Sequence, residues 1–80
     1  MKQGKIDRKY ESANILLDLA IEELVTGNYV QAEDHADMAG GRYDYLSEQI
    51  DVADWPDDLG ADLARAATIR LIARRLQGRR

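Results

Sequence analysis

The chain contains no cysteine, which excludes disulfide bonds and thiolate metal sites. It also has no apolar run approaching the ~18 residues that a membrane-spanning helix requires. The polar residues 1–5 lack the apolar stretch of a secretory signal peptide. We therefore expect a soluble protein that stays in the cytoplasm and makes no membrane contact.

Basic residues are scarce in the middle of the chain. Fourteen of the fifteen acidic residues lie between residues 10 and 64, where Arg42 is the only base. The first nine residues contain four bases and the last sixteen contain six, and the net charge is -4. Because an acidic surface repels phosphates, the pattern argues against direct nucleic-acid binding through the body of the domain. It favours a basic protein partner.

Three stretches of the 80 residues have apolar side chains at alternating three- and four-residue steps, the spacing of one face of a helix. A chain of this length forms one domain with a modest core. We predict an all-α, up-down-up three-helix bundle with helices at about 8–26, 29–52 and 55–77. The basic ends, 1–6 and 78–80, are predicted to be flexible.

The first helix has an apolar arc of roughly 200°, wider than the ~100° stripe that one neighbouring helix covers. Asp7 is its predicted N-cap, and Gly27 is its left-handed stop. Asn28 follows as a cap for the second helix, so the short connection predicts an antiparallel hairpin. Ile15 lies outside the arc, and this surplus of apolar surface is consistent with a homodimer.

The second helix is predicted to run through Gly40 and Gly41 without a break. Its apolar positions keep one phase on both sides of the glycines: Tyr29, Ala32, Ala36, Ala39, Tyr43, Leu46 and Ile50. Two glycines inside a helix cost roughly 2 kcal/mol relative to alanine. Close approach of a neighbouring helix would explain Gly40, which follows Ala32 and Ala36 at four-residue steps.

The third helix has a start signal at residues 54–58. Asp54 is the predicted N-cap, Pro56 is placed in the first turn, and Asp57 and Asp58 complement the helix dipole. The predicted buried face comprises Leu59, Leu63, Ala66, Ile69, Ala73 and Leu76, together with Ile72. Trp55, beside Pro56, is predicted to cap one end of the bundle, with a partner anchor as the alternative.

Five carboxylates share the outward face of the second helix, and we name them the acidic ridge: Asp34, Asp37, Asp44, Glu48 and Asp51. They follow one helical line about 25 Å long. Since like charges at these spacings repel by a few tenths of a kcal/mol per pair, the line suggests a binding surface. The alternative is that these acids balance the basic ends of the bundle, with the arginines of the third helix beside Glu22, Glu23, Glu33 and Asp34.

A mixed patch flanks the ridge and comprises Met38, Arg42 and Tyr45. Such residues are typical of protein interfaces, although ordinary surface composition explains them equally well.

No arrangement of side chains indicates catalysis. His35 is the only histidine, and the Glu-x-x-His spacing of di-iron bundles is absent, so we interpret it as a solvated or interface residue. The serines and threonines have no histidine in motif spacing, and no P-loop or dinucleotide fingerprint occurs. We expect no enzyme activity, no cofactor and no metal site.

The first two helices resemble a tetratricopeptide repeat over about residues 13–46. The matching residues are Leu16, Leu19 and Ala20, then Gly27 and Tyr29, then Ala32, Ala36 and Ala39. The resemblance implies a helical hairpin and an adaptor that binds peptides.

In size, charge and lack of catalytic motifs, the chain is also similar to small phage-encoded inhibitors such as anti-CRISPR and anti-restriction proteins. The leading hypothesis is a non-enzymatic protein that presents its acidic ridge to a basic partner, such as a CRISPR or restriction complex, in the manner of a DNA mimic. It would then act in the host cytoplasm. The alternative is a tetratricopeptide-like adaptor or a self-associating helical module.

Overall fold

The computed structural model describes residues 3–78 and contains three α-helices and one short 3₁₀ helix. The α-helices are α1 (Gln3–Thr26), α2 (Tyr29–Gln49) and α3 (Leu59–Gln77), and Val52–Asp54 forms the 3₁₀ helix. The all-α three-helix bundle is therefore confirmed. Of the ends predicted to be flexible, residues 1–2 and 79–80 lie outside the described part of the chain.

The predicted start of α1 was wrong by five residues. The helix already begins at Gln3, so Asp7 lies inside it and is not the N-cap. No helix-breaking residue other than Gly4 precedes Asp7, and Ile6 packs against the core. Packing of Ile6 therefore extends the helix into the segment that was predicted to be flexible.

The turn between α1 and α2 is as short as predicted. Gly27 has a φ of 88°, the left-handed conformation that glycine adopts without strain, and the Asn28 amide donates to the Glu23 carbonyl at 2.8 Å. Asn28 is the N-cap of α2, but its side chain makes no capping bond and its Nδ2 donates to Thr26 Oγ1 instead. The two helices form the predicted antiparallel hairpin.

Helix α2 is continuous through Gly40 and Gly41, as predicted, but it ends at Gln49 and not at 52. Ile50 is extended, and its carbonyl accepts a 2.9 Å hydrogen bond from Nε1 of Trp55. In a longer helix that carbonyl would accept from the amide of residue 54. The indole N–H of Trp55 replaces that amide as the donor, and the ring packs against the core. The predicted role of Trp55 as an end cap of the bundle is therefore confirmed.

The start of α3 was also predicted too early. Its N-cap is Asp58, and Asp54 belongs to the 3₁₀ helix. Trp55 has an extended backbone because the ring of Pro56 disfavours a helical conformation in the preceding residue. Pro56 then accepts a hydrogen bond from the Leu59 amide at 3.0 Å, which closes a turn before the helix begins.

The core is built largely from alanine, and α2 lies at its centre. Helices α1 and α3 both pack closely against α2 and contact each other much less. Seven of the twelve buried apolar residues in the described part of the chain are alanines; the twelve are Ala13, Leu17, Ala20, Ala32, Ala36, Ala39, Tyr43, Leu46, Leu59, Ala66, Ile69 and Ala73. Leu19, which belongs to the wide apolar arc of α1, and Ile72, which was predicted to be buried, are instead 38% and 40% exposed because α1 and α3 remain apart along much of their length.

Candidate protein-binding surface

Four residues of the acidic ridge, Asp34, Asp37, Asp44 and Glu48, lie on α2 and are all exposed. They span about 21 Å of the helix at 1.5 Å per residue. Asp51 is exposed as well, but it follows the end of α2 and is the N-cap of the 3₁₀ helix. The structure therefore brings four of the five predicted residues into one helical line and not the fifth.

Only one ridge carboxylate has a basic partner within residues 3–78. Asp37 Oδ1 accepts a 3.2 Å bond from the guanidinium of Arg70 on α3, and both side chains are more than half exposed. An exposed pair of this kind contributes under about 1 kcal/mol. The carboxylates of Asp34, Asp44 and Glu48 form no hydrogen bond or ion pair with other described residues.

The C-terminal end of α3 lies beside the acids near the α1–α2 turn, as expected, but none of its described arginines forms an ion pair with them. Glu33 accepts from Nε2 of Gln77 at 2.7 Å, and Glu23 binds His35. Within the described residues, the basic end of α3 therefore compensates the ridge only at Asp37.

The patch of Met38, Arg42 and Tyr45 lies beside the ridge, on the side of α2 that faces α1. Met38 is 48% and Tyr45 is 43% exposed. The Nζ atom of Lys9, on α1, lies 4.8 Å from the centre of the Tyr45 ring, a cation–π contact. Because Asp37 contacts α3, the ridge and the patch occupy opposite flanks of the same exposed helix face.

A groove of about 330 Å³ lies between α2 and α3 on the flank that carries the ridge. Its uncharged lining residues are Ala36, Gly40, Gly41, Leu63, Ala66 and Ala67. Three charged residues, Asp37, Asp44 and Arg70, complete the lining. We call this feature the α2–α3 groove.

The two glycines in the groove are not required by the packing of the protein itself. A Cβ atom on Gly40 would lie 3.8 Å from the Cβ of Ala66, an ordinary van der Waals distance, and one on Gly41 would meet no atom within 4 Å. Neither glycine has a positive φ. Close helix packing, the predicted reason for Gly40, is therefore insufficient. Each glycine still costs about 1 kcal/mol relative to alanine.

A buried polar cluster links the three helices at the other side of the core. The hydroxyl of Tyr10 donates to Asp62 Oδ2 at 2.6 Å, and the hydroxyl of Tyr43 donates to Asn14 Oδ1 at 2.6 Å. The two rings meet edge to face, with centroids 5.8 Å apart. Arg65 also approaches Asp62, which is only 7% exposed. The cluster was not predicted, although Asp62 interrupts the apolar spacing between Leu59 and Ala66.

Ionisation of both tyrosines of the cluster, the buried Tyr43 and the partly buried Tyr10, is strongly disfavoured. Burial raises the pKa of Tyr43 to about 12, and the nearby Asp62 carboxylate adds to the effect. The pKa of Tyr10 is raised well above its usual range, first by burial and then by its hydrogen bond to Asp62. The phenols therefore remain protonated donors at neutral pH, which is a structural role.

His35 is partly buried, and its Nδ1–H donates to Glu23 Oε1 at 2.5 Å, joining α2 to α1. His35 is therefore not fully solvated, because the hairpin brings a carboxylate from α1 to the imidazole, and its place in an interface with a partner stays a prediction. Within residues 3–78, no group of three or more His, Cys, Asp or Glu side chains is arranged to hold a metal ion.

None of the helices in residues 3–78 has both the length and the apolar character needed to cross a membrane. No protein-family model matches the chain, and no similar curated protein or solved structure was found.

Proposed function

We propose that this protein is a non-enzymatic binding protein that presents the acidic ridge to a basic surface of another protein. The observation that carries the proposal is the exposure of Asp34, Asp44 and Glu48 without a basic partner among the described residues. Like charges on one helix face are mutually destabilising, and a face that served only solubility would carry lysines among them. A basic partner removes this repulsion.

The partner we propose is a cytoplasmic complex that binds nucleic acid, so that the protein acts as an inhibitor of the anti-CRISPR or anti-restriction kind. Carboxylates one helical turn apart are separated by about 5 Å along the axis, the same order as the ~3.4 Å axial spacing of successive phosphates in one strand of a duplex. A lysine- and arginine-lined channel that binds a strand would thus also accept the ridge. Binding should weaken steeply as salt rises, because exposed charges are screened over about 8 Å at physiological ionic strength.

The patch beside the ridge supplies a contact of a different kind. Met38 and Tyr45 expose apolar surface next to the carboxylates. Charged groups speed association and set its orientation, whereas partly apolar side chains at an interface centre contribute most of the affinity. The proposed interface therefore includes Met38, Arg42 and Tyr45.

The experiment is a pull-down from the source cell with a ridge variant as the matched negative. Asp34→Lys with Glu48→Lys reverses two ridge charges that have no partner within the described fold, so the variant should fold normally. Glu11→Lys with Glu22→Lys makes the same charge change at exposed positions on α1. We expect the parent and the α1 variant to retain a nucleic-acid-binding complex and the ridge variant to lose it. If the ridge variant retains the same proteins, the ridge is only a solvated face.

A second candidate function is a self-associating or adaptor module of the tetratricopeptide-like kind. It is favoured by one observation: Ile15 is 61% and Leu19 is 38% exposed, four residues apart on the outer face of α1. Residues at this spacing are neighbours on a helix surface and form a continuous apolar strip.

A further inference from the structure

We infer that the α2–α3 groove receives an arginine or lysine side chain of the basic partner, with its aliphatic stem over the Gly40–Gly41 backbone and its cationic group at Asp44 and Asp37. This inference rests on the proposed function and names a specific contact within it. The groove measures about 330 Å³. That volume is at the lower end of the range for ligand pockets, about 300–1,000 Å³, and suits one long side chain better than a complete small molecule.

The glycines are the first observation that points to an occupant. Alanine would fit at both positions without a clash and would make a more stable helix. The packing of the protein itself therefore does not require the open space beside the two glycines. A side chain of a partner can occupy that space and lie directly on the helix backbone.

The charges of the lining identify the chemistry of the occupant. The carboxylate of Asp44 has no partner among the described residues, and that of Asp37 is bound only by the half-exposed Arg70. The groove combines these carboxylates with an apolar lining of Leu63, Ala66 and Ala67. It therefore complements a group with an apolar stem and a positively charged end. Arginine and lysine are the side chains with that construction.

The bound pair of Asp37 and Arg70 is part of the inferred contact. An exposed ion pair of this kind contributes little stability, so an incoming cation can compete for Asp37 at small cost. Arg70 then swings toward solvent or toward acidic groups of the partner.

The test uses the full chain, labelled with ¹⁵N, and a short capped peptide of alternating arginine and alanine. The same peptide with citrulline in place of arginine is the uncharged control. We expect the arginine peptide to shift the amide signals of Gly40, Gly41 and Ala67 in a saturable manner, and the citrulline peptide to leave them unchanged. Affinity is measured in parallel by fluorescence anisotropy.

Gly41→Leu fills the groove without changing any charge and should weaken binding about tenfold. Gly4→Leu is the matched control, since a Cβ there also meets no neighbouring atom and α1 does not line the groove. Gly41→Ala is a milder second variant in case leucine disturbs the fold, which thermal melting will show. It should weaken binding to a smaller extent.

The ridge variant Asp34→Lys with Glu48→Lys separates the two proposals, because neither residue lines the groove. If the ridge variant loses binding while both Gly41 variants bind like the parent, the groove inference is overturned and the proposed function stands. If the Gly41 variants lose binding and the ridge variant does not, the groove is the binding site and the ridge proposal fails. Equal binding of the arginine and citrulline peptides overturns both.

Discussion

Tyr10 on α1 donates a 2.6 Å hydrogen bond to the carboxylate of Asp62 on α3, across 52 positions of sequence. Asp62 is 7% exposed and receives Arg65 as a second donor. Since α1 and α3 contact each other little, this bond gives the two outer helices a direct polar link.

We expect Tyr10→Phe to destabilise the protein by about 1–3 kcal/mol, because it leaves a buried carboxylate without its shortest hydrogen bond. Urea unfolding followed by circular dichroism measures the change. Tyr45→Phe is the control: its ring is 43% exposed, so the loss of its hydroxyl should change stability by less than about 0.5 kcal/mol. Equal effects of the two substitutions would contradict the structural role of the Tyr10–Asp62 bond.

Stability should fall in alkaline solution from about pH 10 upward. Tyr43 has a pKa of about 12 in the folded protein against an ordinary value of 10.0, and the pKa of Tyr10 is raised further. A raised folded-state pKa contributes stability that is complete below the unfolded value and is lost as pH rises toward the folded one. Near pH 11 each tyrosine should therefore remove up to about 1.4 kcal/mol.

The measurement is urea unfolding at several pH values between neutral and about pH 11. Tyr43→Phe should be less stable at every pH, because Asn14 loses its partner, but should show a shallower alkaline decline. A decline as steep as that of the parent would mean that other groups cause it.

The groove glycines should behave differently from the glycine of the turn. Gly41→Ala is expected to stabilise the protein by about 1 kcal/mol, and Gly40→Ala by a similar amount, since a Cβ fits at both positions. Gly27→Ala should destabilise it, because the φ of 88° is strained for alanine. Gly40→Leu should be less stable than Gly41→Leu because only Gly40 faces Ala66. Thermal and urea unfolding of the five variants measure these changes, and a loss of stability in Gly41→Ala would show that packing does require that glycine.

Arg70→Gln should bind the arginine peptide several-fold more tightly than the parent does. The substitution removes the cation that competes for Asp37 and leaves both groove carboxylates available. Stability should change by less than about 1 kcal/mol, as for other exposed ion pairs. Arg75→Gln, which removes an exposed charge outside the groove lining, controls for the general gain in negative charge. Weaker binding by Arg70→Gln than by Arg75→Gln would contradict the competition.

If the protein self-associates, sedimentation at micromolar concentration should give a mass above the 9.0 kDa of one chain. Ile15→Lys should then return the protein to the monomer, because it places a charge in the apolar strip with Leu19. Val25→Lys is a matched control at a position that is 81% exposed. A parent protein that sediments as a monomer would remove self-association from the second candidate function and leave only the adaptor.

The periodic pattern of the sequence determined the helical class, the number of helices, the turn at Gly27 and the continuity of α2 through Gly40 and Gly41. These features depend on residues within a few positions of one another, so apolar spacing and glycine conformation suffice to predict them. The exposed line from Asp34 to Glu48 also followed from spacing alone. The ion-pair partners of those carboxylates could not be predicted from spacing, since Arg70 reaches Asp37 only across the interface of α2 and α3.

Tertiary structure alone decided which helix ends are stable and which polar groups are buried. The indole of Trp55 ends α2 by binding the Ile50 carbonyl, and Glu23 reaches His35 from the other arm of the hairpin. Tyr10 and Asp62 meet because both outer helices pack against α2. The open groove beside Gly40 and Gly41 was also decided by the tertiary structure. The sequence shows that these two positions have no side chain, but it does not show whether a neighbouring helix fills the space. That depends on the distance between α2 and α3, which the side chains along the whole interface set together.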